Sequence, residues 1–437
     1  MTTETSPTAD FTALDQIAAQ QRERWRRQHE YVLKNSPFFS DLWSRHRVAP
    51  GLEDLASLPL CDKEMLQRSQ AAAPPFGAFL AAPENSVVRV HRSSGTTGRT
   101  MNLVMSAADA QQTAIVGARA QRASGLGAQH RVVHCLNYQL WMGGFTDHTT
   151  LEMTGATVIP FGIGGSELLI RTIRELGITA ISCTPSYPMV LERVIEERFS
   201  DLSPRDLGLE LGLFGGEAGL DDDGFRTRLE TTWGFKARNA NYGTSDVMCN
   251  FAAQCEHSKD LHFVALDVLY PEVVDPVSDE SLPWRENVEG ELVLTHLARE
   301  CQPLVRFRTA DIIVLTSTGP CACGRTAPRF RVIGRRDDMV VVRGINVFPT
   351  SVATLINKFP ELSGEYQIVL MGPGPYDRLP LEVELLSGQQ GDTTLENALP
   401  AAIKSKLQVT AQIALMPPNS LPRTAGKTRR VIRKENK

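Results

Sequence analysis

The chain has 437 residues, 42% hydrophobic and 22% charged, an ordinary globular balance with enough apolar material for a sizeable core, which excludes a disordered chain. Its 46 lysines and arginines face 50 aspartates and glutamates, and the formal net charge of -4 lacks the basic footprint of a nucleic-acid binder. No apolar run reaches the roughly 18 residues that cross a bilayer, and the polar, acidic first fifteen residues are unlike a signal peptide, so the expectation is a cytoplasmic protein with no nucleic-acid or membrane partner.

In chain order, residues 1 to about 12 read as a frayed tail, and 13–33 as a helix whose solvated face carries Arg22, Glu23, Arg24, Arg26 and Arg27. Residues 87–90 are strand-like. From 131 to 186, short apolar runs at 131–136, 156–161 and 178–184 alternate with helical pattern near 146–153 and 167–176, which predicts a parallel sheet wrapped by helices. The turn-rich stretch 270–290 reads as a surface connection before a strand at 290–297. Past Gly334 the pattern changes. A linker near 335–338 is followed by a helix near 350–358, strands at 366–372 and 381–386 and a helix near 395–407, a small α+β arrangement.

The most informative run is His91-Arg92-Ser93-Ser94-Gly95-Thr96-Thr97-Gly98-Arg99-Thr100, directly after the strand-like 87–90. Glycines let backbone N–H groups approach an anion, the hydroxyls add donors and Arg99 adds fixed charge, so the run suits phosphates. It is not a Walker A loop, because only two residues separate Gly95 from Gly98; taken alone it also suits a plain Ser/Thr-rich turn. Eight cysteines are too few for a disulfide scaffold. Cys255, His262, Cys321 and Cys323 offer three thiolates and an imidazole, the soft tetrahedral set that Zn²⁺ prefers, with His257 an alternative to His262. Four protein ligands leave no open position, so the site is structural. Cys61, Cys135, Cys183, Cys249 and Cys301 have no partner spacing and read as packing residues. The tail 423–437 holds seven basic residues against one acid, and reads as a polybasic arm or, preferably, as a loop in which Gly426 permits a turn presenting Lys427 to phosphate.

Five ordered stretches resemble motifs of the adenylate-forming (acyl-CoA synthetase, adenylation domain, luciferase) superfamily. They are SSGTTGRT, Asn241-Tyr242-Gly243-Thr244-Ser245-Asp246, Phe307-Arg308-Thr309-Ala310-Asp311, Gly334-Arg335-Arg336-Asp337-Asp338 and Pro422-Arg423-Thr424-Ala425-Gly426-Lys427. RVHRSSGTTG, TGATVIP, CTPSY, FGGEAG and RDDMVVVRGINVFP are similar to the phenylacetate-CoA ligase branch, and the resemblance covers nearly the whole chain. It implies an α/β fold: a large N-terminal adenylate-forming domain (1–334) with parallel sheets wrapped by helices, a hinge (335–338) pivoting at Asp337, and a small mobile α+β C-terminal domain (339–437).

The resemblance also implies roles. Ser93, Ser94, Gly95, Thr96, Thr97, Gly98 and Arg99 would cradle the phosphates of ATP, and Asp246, standing where the family usually has Glu, would help bind Mg²⁺. Gly215, Gly216, Glu217 and Ala218 match the loop near adenine, with Tyr242, Gly243 and Thr244 beside it. Asp311 would accept from the ribose hydroxyls with Arg335 alongside, next to Ala310 in place of the family's glycine. The acid would sit at 137–145, where Tyr138 and Trp141 suit an aryl ring; core packing is the competing reading for Trp141 and Phe145. Lys427 would serve adenylate formation, and Gly344 would line the pantetheine path of coenzyme A. Related proteins carry a similar Cys, His and Cys-x-Cys-Gly-Arg arrangement, which strengthens the zinc reading. The expected activity is ATP-dependent conversion of an aromatic or arylacetic acid to its acyl-adenylate, then to its coenzyme A thioester. The alternative is an adenylating enzyme that passes the acyl group to an amine, a carrier protein or another small nucleophile. A homodimer stays open.

Overall fold

Neighbouring residues of the expected strand near 131 are both fully buried yet belong to opposite faces: Val132 shares a cluster with Leu151 and Leu213, and Val133 one with Ile173 and Phe235. Ala180 and Ile181, and Leu213 and Phe214, divide in the same way. A strand covered on both sides has no polar face, which is why these runs read as continuously apolar. The computed structural model describes residues 9–44, 46, 51–93, 100–217, 219–343, 345–372, 376–389, 393–422 and 430–434. The chain divides into two units, Met1–Thr309 with Val314–Arg331, and Ala310–Ile313 with Val332–Lys437.

Among the described residues, twelve strands form one sheet. Five run parallel, in the order Thr157–Pro160, Arg131–His134, Ala180–Cys183, Leu211–Gly215 and Lys236–Thr244. The sheet continues antiparallel through Met248–Cys255 and Ser258–Phe263 to Arg329–Arg335. Helices Ser166–Glu175, Tyr187–Arg198 and Asp223–Trp233 supply Leu169, Ile173, Leu191, Ile195, Leu229 and Trp233 to the core of one face. Helices Ala107–Ala123 and Met142–Glu152 lie together and pack on the strand Met248–Cys255. None of the described helices is long and apolar enough to cross a membrane.

The second unit has its own core, with Val352, Leu355 and Ile356 of the helix Pro349–Ile356, Leu399 and Ile403 of the helix Thr393–Leu407, and Ile368, Leu370, Leu381 and Val383 of the sheet. The four strands of that sheet lie in the order Ala411–Met416, Leu379–Leu385, Leu362–Met371 and Val431–Lys434. This is the expected small α+β arrangement.

Two expectations need correction. The amino-terminal segment is held from Ala9 onward, because the Asp10 carboxylate pairs with Arg325 at 2.8 Å and the Arg325 guanidinium lies over Phe11. The stretch 270–290 is not all connection: Leu269–Val274 is a buried strand paired with Glu289–His296, since its apolar residues gain cover and its backbone gains a ladder. The expected helices are present with shifted ends, at Leu14–Asn35, Met142–Glu152 and Ser166–Glu175.

Candidate active site

The expected phosphate run grows from a hairpin. Strand Arg89–Arg92 pairs antiparallel with Asn102–Met105, Arg92 opposite Asn102. At its root the buried Ser93 donates its N–H to Met101 O (2.9 Å) and accepts the Met101 N–H on Oγ (3.1 Å). Ser94, Gly95, Thr96, Thr97, Gly98 and Arg99 lie outside the described residues, as do Ala218, Gly344 and Lys427.

The expected acid segment, 137–145, precedes and enters the helix Met142–Glu152. Gly144 is required here, because a Cβ would lie 2.2 Å from Asn137 O and 2.5 Å from Tyr138 Cα. His134 supports the turn from below: Nε2 stands 3.0 Å from Gly143 O and 3.1 Å from Gly144 O, and Nδ1 3.1 Å from Ser182 Oγ. Burial pushes its pKa down to about 4, so the neutral ring donates from Nε2 and accepts at Nδ1. Tyr138 bonds His148 Nδ1 at 2.9 Å, and His148 Nε2 meets Glu152 at 3.1 Å. Burial pushes the Tyr138 phenol up, so it stays protonated. Trp141 caps the helix and is partly buried, while Phe145 is 46% exposed beneath the Arg89 guanidinium at 4.6 Å.

Gly215 ends the strand Leu211–Gly215, opposite Asn241 in the register, and Gly216 and Glu217 follow it. Glu217 accepts from Ser186 Oγ at 2.7 Å. Asn241, Tyr242, Gly243 and Thr244 form the carboxyl end of Lys236–Thr244, the end of a parallel sheet at which ligands bind in α/β folds. Gly243 passes so close to the next strand that a Cβ would sit 2.2 Å from Cys249 O. Tyr242 packs edge-on against Phe251 and Phe330, both at 5.3 Å. Asp246, in the turn after Thr244, pairs through Oδ2 with Lys63 Nζ at 2.9 Å. Asp246 Oδ1 and Thr244 Oγ1 are buried with no hydrogen-bond partner among the described residues.

The helix that carries Gly144 and Phe145 meets this motif through a part-buried bond, Asn241 Nδ2 donating to Asp147 Oδ2. Burial pushes the Asp147 carboxyl up to about 7, against the opposing effect of Cys249 and Asn241.

In the second unit, Arg335 holds two acids. Its guanidinium donates to Asp311 Oδ1 (2.8 Å) and in a fork to both oxygens of Asp337 (2.9 Å each). Desolvation disfavours its charge, but Asp337, Asp311 and Asp338 outweigh that and keep it firmly protonated. Ala310 adopts φ 63°, a left-handed backbone that a glycine would adopt freely and an alanine only under strain.

The sulfur cluster is assembled in the first unit. One ligand atom from each of Cys255, His262, Cys321 and Cys323 lies within 4.8 Å of the others. His262 Nε2 is 3.3 Å from Cys255 Sγ and 3.8 Å from Cys323 Sγ, and the Cys255 and Cys321 sulfurs are 3.8 Å apart. His257 sends only its backbone N–H to Cys255 Sγ (3.3 Å), and its ring faces Glu256. The cysteines outside the cluster are buried, unbridged thiols.

Lys63 and Asp147 escaped the sequence reading. Lys63 follows Asp62, which caps the helix Lys63–Ala72 through Met65 N–H at 2.8 Å; the cap was legible, but a partner 183 positions away was not. Asp147 left no trace, since it sits among Thr146, His148, Thr149 and Thr150 in an ordinary polar stretch.

A parallel sheet with helices packed on it, continued by antiparallel strands, on a chain with a separate small α+β unit is the architecture of an adenylate-forming enzyme. The family model of the AMP-binding enzyme C-terminal domain matches residues 344–435. The chain is 34% identical over 450 residues to the phenylacetate-coenzyme A ligase of Thermus thermophilus, covering 98% of each chain. It is 35% identical to that of Pseudomonas putida, covering 96% of this chain and 94% of the other. Among solved structures it resembles a 2-hydroxyisobutyryl-CoA ligase in the postadenylation state with 2-HIB-AMP, at TM-score 0.84 and 30% identity, covering 97% of this chain and 90% of the other. The same ligase with 2-HIB-AMP and CoA in the thioesterification state matches at TM-score 0.70 and 31% identity, covering 98% and 91%. The chain belongs to the phenylacetate-coenzyme A ligase family. It is an AMP-forming acid–thiol ligase that uses ATP to activate a carboxylic acid as its acyl-adenylate and then forms the thioester with coenzyme A.

Proposed function

We propose that the acid is aromatic or arylacetic, bound along 137–145 with Tyr138 and Trp141 against its ring and Gly215 at its edge. The observation that carries this reading is the part-buried Asp147–Asn241 bond, which ties the helix continuing from 137–145 to the strand end proposed to receive the nucleotide. The named activity of the Thermus and Pseudomonas relatives supports the choice of acid.

In the first step a carboxylate oxygen attacks the α-phosphorus of ATP, and pyrophosphate leaves. Ser93, Ser94, Gly95, Thr96, Thr97, Gly98 and Arg99 hold the phosphates. Gly216, Glu217, Tyr242, Gly243 and Thr244 receive adenine and the α-phosphate, and Asp311 accepts from the ribose with Arg335 beside it. The orphaned oxygens of Asp246 and Thr244 are hard donors suited to Mg²⁺, which when bound would neutralise phosphate charge. Lys63 balances Asp246 from the protein side. Lys427 stabilises the charge that develops at the α-phosphate. In the second step the thiolate of coenzyme A attacks the acyl carbonyl and AMP leaves. Between the two steps domain 339–437 turns about Asp337, in the hinge 335–338 after domain 1–334, so that Gly344 lines the pantetheine path before the thiolate attacks. The solved relative caught in two catalytic states supports this alternation. Cys255, His262, Cys321 and Cys323 would hold a structural Zn²⁺, for which three sulfurs and one nitrogen are a fitting set.

The test is pyrophosphate release and thioester formation over a panel of benzoates, arylacetates and short aliphatic acids, with and without coenzyme A. Arylacetates or benzoates should give the highest kcat/KM; an aliphatic preference would overturn the assignment.

A further inference from the structure

Leu140, in the acid segment, has φ 61°, a left-handed backbone that a branched side chain adopts only under strain. Its side chain is 54% exposed, so packing of that side chain is not what holds it. Its carbonyl is held instead. Leu140 O accepts the Arg92 N–H at 2.9 Å and faces His91 Nδ1 at 3.1 Å. Both donors end the strand that runs into the phosphate loop.

The far side of the His91 ring is anchored as well. Nε2 lies 2.8 Å from Thr146 Oγ1, which is 3.3 Å from the Arg89 guanidinium. The Leu140 carbonyl can only accept, so His91 Nδ1 carries the proton of the neutral ring, Nε2 accepts the Thr146 hydroxyl hydrogen, and the Thr146 oxygen accepts from Arg89. Burial favours the neutral ring that this pattern requires. The result is a directed chain, Arg89 to Thr146 to His91 to Leu140, between the phosphate hairpin and the acid segment.

We propose that His91 is a positioning residue for the acid substrate, holding the strained Leu140 turn and tying the acid segment to the strand that enters the phosphate loop. The proposal rests on the reading of 137–145 as the acid site. It concerns shape and not chemistry: His91 fixes where Tyr138 and Trp141 stand and takes no part in bond making.

Two amide variants separate the ring nitrogens. In His91→Asn the amide nitrogen falls near Nδ1 and keeps the donor to Leu140; in His91→Gln it reaches the Nε2 position and the Leu140 bond is lost. With the full chain, phenylacetate, ATP and coenzyme A, His91→Gln and His91→Ala should raise KM for phenylacetate about tenfold and change KM for ATP by less than about twofold. His91→Asn should stay within about threefold of the parent on both. The proposal is overturned if Asn is as impaired as Gln, if KM for acid and ATP rise together, or if Gln leaves KM for the acid unchanged. The Asn and Gln comparison decides the matter even if the alanine variant fails to fold. Tyr138→Ala tests the underlying reading separately. If it leaves KM and acid selectivity unchanged, the acid site lies elsewhere; if it shifts them while His91→Gln does not, only the role of His91 falls.

Discussion

Ala310 holds a left-handed turn, φ 63°, that costs an alanine more than a glycine, while its carbonyl accepts the Arg336 N–H at 2.7 Å. Left-handed backbone costs an L-residue roughly 1–2 kcal/mol, and the greater freedom of unfolded glycine returns part of that gain, so Ala310→Gly should stabilise the protein by about 0.5–1 kcal/mol. Calorimetric unfolding measures this, and a lower Tm would contradict it. Asp147 gives a pH-dependent expectation. Burial raises its folded pKa to about 7, above the unfolded carboxyl value near 4. Between those values the folded protein keeps a proton that the unfolded chain has released. The contribution of Asp147 to stability therefore falls as pH rises through this window and levels off above it. Asp147→Asn keeps an acceptor for Asn241 and removes the titration. It should flatten this part of the pH profile and be the more stable form at about pH 8, by on the order of a few kcal/mol at most. Denaturant melts at both ends of the window decide it; a parent that gains on the variant with rising pH would refute the assignment.

The strands around the sulfur cluster behave as one knot. Cys255 ends Met248–Cys255, His262 lies in Ser258–Phe263, and Cys321 and Cys323 directly precede Arg325 and Thr326, which grip the amino-terminal segment. Purified protein should carry close to one zinc per chain. Cys321→Ser should lower zinc content and Tm together, since free energy of metal binding becomes free energy of folding. It should also speed hydrogen exchange in both strands and in residues 9–12. Metal-free protein of unchanged Tm would remove the zinc.

For the molecule as a whole, the two half-reactions should separate by variant. Lys427→Ala should slow adenylate formation by about a hundredfold or more, the effect of losing one preorganised charge contact. It should leave thioester formation from presynthesised acyl-AMP nearly unchanged. Gly344→Trp should do the reverse, because a bulky side chain would fill the proposed pantetheine path and leave the proposed ATP contacts alone. Rapid-quench measurement of each step tests both. Equal slowing of both steps by Lys427→Ala would rule out the alternation of the small domain.

Much of this protein is legible along the chain, because the signals are local. Unbroken apolar runs announce strands buried on both faces, and three thiols with an imidazole announce a cluster of soft donors that the fold does assemble. The order of five motifs identifies the superfamily. Tertiary structure decided what depends on register and packing between distant residues. Ala253 stands opposite His262 and Cys255 opposite Ser258, with a register shift between the two pairs, so the meeting of Cys255 with His262 rests on an irregular strand pairing, and His257 is left in the turn. Asn241 meets Asp147 from 94 positions away, and Lys63 meets Asp246 from 183, because a strand end and a helix start come together only in the fold. The strained turn at Leu140 is equally unreadable in the sequence. Leucine has no preference for positive φ, and the donors that hold it there lie on a strand almost fifty residues earlier in the chain.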